Sequence, residues 1–145
     1  MMPMDWRRMK EEGLVVDFEG AKPKAKPHIA EGWQCCIRAR ALYTEAEYEA
    51  IDLEVRKALL IAAESLCYYD NLRPAEPTTL EFSERLCLEF WSEELTRRIF
   101  DRAYILGGML PLPREPLSEE EAAMVRRSIS ASTEFVALIQ SYVFT

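Results

Sequence analysis

Residues 44–69 read TEAEYEAIDLEVRKALLIAAESLCYY, and the spacing of their apolar side chains sets the architecture. Tyr48, Ile51, Val55, Ala58, Ala62, Leu66 and Tyr69 recur at steps of three and four, the period of an α-helix buried along one stripe. Glu49, Asp52, Lys57 and Glu64 occupy the other face. Thr44 and Glu47 stand three apart ahead of the stripe, the spacing of a capping box, in which each side chain satisfies an amide at the helix start. Asp70-Asn71, ahead of Arg73-Pro74, is the expected end, because proline disfavours helical geometry in the residue before it. The sequence predicts one long helix near 45–70.

Two more helical stretches follow. Beyond the linker Pro74-Ala75-Glu76-Pro77, Thr78 or Thr79 is placed to cap a helix carrying Phe82, Leu86 and Phe90. Leu88, Trp91, Leu95, Ile99, Ala103 and Leu106 continue the period, but the stripe changes face near Ser92. The region 79–106 is therefore one helix, or two with a break. Gly107-Gly108 is the expected stop, and the prolines of 109–116 exclude helix there. Ser118-Glu119-Glu120-Glu121 is a second capping box, and Ala122, Val125, Ile129, Ser132, Val136, Ile139 and Val143 form a heptad-like seam over 119–143. Phe135, Leu138, Tyr142 and Phe144 lie outside that seam, so this end is apolar on more than one side. The core of a three- or four-helix body is the preferred home for them, and a dimer or partner interface is the alternative.

The N-terminal part reads differently. Leu14, Val16 and Phe18 alternate with Asp17 and Glu19, the pattern of a half-buried strand. Ala21–His28 holds Pro23 and Pro27 and reads as a loop or polyproline-like arm. Trp33–Arg40 fits either period, and a strand paired with Leu14–Phe18 is preferred. The expectation is a single domain over 1–145, mainly α. A three- to four-helix bundle-like body over 44–145 follows an N-terminal β-hairpin or extended arm over 1–43, which is α+β only at the margin.

The 145 residues are 49% apolar, enough to bury a core and to exclude a wholly disordered chain. Eighteen Lys and Arg oppose 25 Asp and Glu, for a net charge of −7. Residues 1–40 carry eight cations against six carboxylates, while 41–145 carry ten against nineteen. Such a balance repels phosphate backbones, so direct nucleic-acid binding is not expected. The start of the chain lacks the apolar run of a signal peptide, and no apolar stretch reaches bilayer length. No membrane association is expected, and Cys35, Cys36, Cys67 and Cys87 read as reduced, buried thiols of a cytoplasmic protein.

Equipment for chemistry is sparse. Structural zinc needs closely spaced Cys or His pairs, and a di-iron carboxylate site needs two histidines, whereas His28 is the only one. Neither glycine-rich phosphate motif occurs. His28 is the one candidate for acid–base work, but its proline-rich setting reads as an inert loop and no nucleophile motif accompanies it. No enzyme, metal or cofactor is expected. Lys22, Lys24, Lys26, Arg38, Arg40, Arg7, Arg8 and Lys10 could form a basic face, with pairing to the protein's own carboxylates preferred.

What remains is surface. Glu45, Glu47, Glu49 and Asp52 crowd one helix start, Glu89, Glu93 and Glu94 lie on another helix, and Phe135, Tyr142 and Phe144 supply an aromatic patch. The expected function is non-enzymatic binding of another protein with a basic surface, as an inhibitor or adaptor. One specific form is a phage-encoded inhibitor of a nucleic-acid-binding host-defence complex, of the anti-CRISPR kind. A homodimer or larger structural assembly is the alternative, and a small enzyme using His28 the third.

Overall fold

A computed structural model describes residues 4–113 and 116–144. The elements run α1 (Arg7–Glu11), β1 (Val15–Asp17), α2 (Ala25–Thr44), α3 (Tyr48–Tyr69), β2 (Leu72–Pro74), α4 (Leu80–Phe90), α5 (Glu93–Met109) and α6 (Glu119–Val143). The protein is mainly α, with one two-stranded antiparallel sheet among the described residues. α3 lies at the centre, flanked by α2, α4, α5 and α6. Its Ile51, Val55, Ala58, Leu59, Ala62, Ala63 and Leu66 are all fully enclosed. The small residues on that stripe let neighbouring helices approach from several sides at once.

α2 corrects the preference for a strand over Trp33–Arg40. Ala25, Ile29, Gly32, Cys36 and Ala39 recur at helical spacing and are buried, whereas Ile37, inward in the strand alternative, is half exposed. The prolines do not make a free arm. Pro23 lies in a single 3-10 turn, Lys22–Lys24, and Pro27 is the third residue of α2. The first four amides of a helix have no partner within it, so a proline there forfeits nothing. The helical body therefore takes in residues 25–43, which the sequence assigned to the N-terminal hairpin or arm.

β1 forms where alternation placed a strand, but its partner is β2, with Val15 opposite Pro74, Val16 opposite Arg73 and Asp17 opposite Leu72. Asn71 arranges this meeting. It closes α3 in the left-handed region at φ 57°, its carbonyl accepts the Phe18 amide, and its side-chain oxygen accepts the Lys22 amide.

The break at Ser92 is real: its side chain accepts from the Leu95 amide and begins α5. Gly107-Gly108 does not stop the helix, which continues to Met109. At Gly107 a Cβ would come within 2.7 Å of the Arg56 guanidinium, so the bare backbone leaves room for the Arg56–Asp52 pair on α3. The Ser118–Glu121 capping box forms as expected, with both reciprocal bonds. The one expected at Thr44–Glu47 does not, because Thr44 is the last residue of α2.

Candidate functional site

The acidic candidates separate into two groups. α2 and α3 are antiparallel, joined by the turn at 45–47, and α6 begins beside the start of α3, where Glu121 acts electrostatically on Tyr48. Glu45, Glu47, Glu49 and Asp52 thus share one end of the molecule with Glu119, Glu120 and Glu121. Glu45, Glu49, Glu119 and Glu120 are exposed, and none enters an ion pair among the described residues. Asp52 is instead largely enclosed and bonded to Arg56 at 2.9 Å.

The second group lies elsewhere. α5 runs antiparallel to α6, as the Arg98–Glu134 pair and the Ser128 hydroxyl against Arg102 and Leu106 show. Its start, with Glu93 and Glu94, is therefore at the far end from Glu45. Glu93 pairs with Arg97 one turn on, and Glu89 is held by Arg85 at 2.7 Å and approached by Arg8 at 3.8 Å. Glu94 is exposed.

The aromatic patch does not exist as a surface. Phe135 is fully enclosed against Phe100, ring centroids 5.3 Å apart, and Tyr142 is 6% exposed against Tyr69. The Tyr142 hydroxyl accepts the Met4 amide. Both are core residues, and neither is available to contact a partner. The cause is that α6 meets α2, α3 and α5 and buries more than its seam. Only Phe144 stays half exposed, with the Lys26 ammonium 5.1 Å from its ring centroid.

The basic face largely pairs internally. Arg7, Arg8, Lys10 and Arg38 meet Asp5, Glu89, Asp17 and Glu54. Lys22, Lys24 and Lys26 each stand over an aromatic ring, those of Tyr69, Phe18 and Phe144.

His28 is not a loop residue. It lies in the first turns of α2, its Nε2 2.8 Å from Glu64 Oε1 on α3, while the Thr78 hydroxyl donates to the other Glu64 oxygen at 2.6 Å. Glu31 lies 3.8 Å from Nδ1, and the Tyr68 ring packs beside the imidazole. Burial raises the Glu64 carboxyl, but bonds from His28 and Thr78 outweigh it and hold the group below its ordinary value. A shallow cleft of about 330 Å³ adjoins, lined by Glu64, Tyr68, Arg73 and residues 74–78. Nucleophile activation requires the imidazole on the hydroxyl and the carboxylate behind it. Here the carboxylate stands between them, which makes it a clamp joining α2, α3 and the segment leading to α4. Sequence spacing gave no hint of it, since positions 28 and 64 meet only through the packing of α2 on α3 and position 78 only where the segment after β2 returns along α3.

Among the described residues no cluster of His, Cys, Asp and Glu is placed to hold a metal ion, and no helix is long and apolar enough to cross a membrane. Comparison with protein-family models, with curated proteins and with solved structures finds no match to this chain.

Proposed function

We propose that this chain is a non-enzymatic binding protein whose acidic end docks on a basic surface of a partner protein. The observation that carries this is the convergence of two helix starts: Glu45 and Glu49 at α3 and Glu119 and Glu120 at α6 are exposed together and enter no ion pair among the described residues. Unpaired carboxylates gathered at one pole steer encounters with a cationic surface and disfavour anionic ones. The specific form is an inhibitor that occupies a nucleic-acid-binding surface of a host-defence complex, as an anti-CRISPR protein would. A cytoplasmic setting agrees with four unpaired cysteines.

The test is capture from the native host with wild type and with a Glu45→Lys/Glu49→Lys/Glu119→Lys/Glu120→Lys variant, at low and high ionic strength. The expected result is a partner retained by wild type at low salt and lost both to the variant and to salt. A partner held equally by both proteins at all salt concentrations refutes the electrostatic mode.

A second function, acid–base chemistry at His28, draws on the Glu64 contact and the adjoining cleft. It requires that His28→Gln abolish turnover of a small polar substrate while leaving the fold intact. The clamp geometry instead favours loss of stability.

A further inference from the structure

Across the α2–α6 seam, Arg40 and Tyr43 on one helix face Arg126, Ile129 and Ser130 on the other around a cleft of about 230 Å³. The two helices run antiparallel here, with Trp33 bonded to Gln140, Arg40 to Thr133 and Arg126 to Tyr43. Among the described residues seven of the twelve arginines meet a carboxylate: Arg7, Arg8, Arg38, Arg56, Arg85, Arg97 and Arg98. Arg40 and Arg126, like Arg73, Arg102 and Arg127, do not, but Arg40 and Arg126 line one cleft together. Each is held by one neutral hydroxyl: Arg40 Nη2 donates to Thr133 Oγ1 at 3.2 Å, and Arg126 Nη1 donates to the Tyr43 hydroxyl at 3.2 Å. The residues three and four positions from each on its own helix are all uncharged.

We propose that this cleft is an anion site for a small phosphate monoester. A guanidinium carries five N–H donors in a rigid fork, and each of these two, lining the cleft, spends one on a hydroxyl and keeps the others to donate. Tyr43, which accepts from Arg126, keeps its own proton to donate, and Ser130 adds a hydroxyl at the rim. Two cations and two hydroxyls match the double negative charge and three terminal oxygens of a monoester better than they match a carboxylate, which has one charge and two oxygens. The apolar Ile129 wall and the cleft volume leave room for an organic substituent beyond the phosphoryl group. The site adjoins the acidic end, Tyr43 standing two residues before Glu45, but uses none of its carboxylates, so the failure of either proposal leaves the other standing.

The experiment titrates the full chain with inorganic phosphate, phenyl phosphate and acetate at constant ionic strength, followed by amide NMR. The expected result is saturable binding of both phosphates, tighter for phenyl phosphate. Shift changes should centre on residues 40–43 and 126–130, with at least tenfold weaker binding of acetate. Arg40→Gln/Arg126→Gln should weaken phosphate binding at least tenfold with an unchanged circular dichroism spectrum. If that variant does not fold, Tyr43→Phe, expected to weaken binding several-fold, takes its place. Absence of saturation, shift changes centred elsewhere, acetate binding equal to phosphate, or full affinity in the folded variant each overturns the proposal.

Discussion

Glu64 joins three parts of the chain through one carboxylate, one oxygen taken by His28 and the other by Thr78. Burial opposes its charge, yet the two bonds win and keep the carboxyl lowered in the folded protein. Because the folded value lies under the unfolded one, this contribution is complete above the unfolded glutamate value of about 4.3 and fades as pH falls through the folded value. At about pH 7, Glu64→Gln should lower the unfolding free energy by roughly 1–3 kcal/mol, the range for a charge-assisted bond left unmade. Urea denaturation of both proteins down to about pH 3 should show the gap closing below about pH 4. A gap of constant size across that range would contradict the clamp. The sequence placed His28 in an exposed loop because Pro27 precedes it. A proline in the first turn of a helix looks the same in a short window as a proline in an arm, and only the buried stripe further along α2 separates them.

At the level of elements, two similar motifs had opposite fates. Ser118-Glu119-Glu120-Glu121 caps α6, whereas Thr44-Glu45-Ala46-Glu47 caps nothing by that pattern. A capping residue needs extended backbone, as Ser118 has at φ −61°, ψ 159°. Pro113 and Pro116 keep helix from running into Ser118, while nothing between Ala25 and Thr44 interrupts α2. The α2–α3 turn instead closes through Ala46 in the left-handed region at φ 56°, where its Cβ crowds the following carbonyl. Ala46→Gly should therefore raise stability by up to about 1 kcal/mol, net of the added freedom of glycine in the unfolded chain. A higher urea midpoint at unchanged slope is the expected reading. An unchanged or lower midpoint would show that the turn is not strained.

Across the whole molecule, the four cysteines report on packing. Cys35, Cys36, Cys67 and Cys87 are free and buried on three different helices. Burial, and then Glu54, pushes the Cys35 thiol up to about 11, and burial likewise raises Cys36, Cys67 and Cys87. Since the thiolate is the reactive form, a disulfide reagent at about pH 8 should label the native chain slowly and the urea-unfolded chain at all four positions at once. Fast labelling of a native thiol would mean that its helix opens locally.

The mainly α class, the positions of the long helices 48–69 and 119–143 and the strand at 15–17 were determined by the sequence alone, which left 79–106 as one helix or two and did not find α2. Each is written in periodicity or capping within a dozen or so residues. Which strand β1 pairs with, whether Phe135 and Tyr142 are core, and which carboxylates and arginines stay unpaired were decided only by tertiary structure. Those outcomes depend on partners tens of residues away, and the same side-chain pattern serves a surface or an interior until a neighbouring helix covers it.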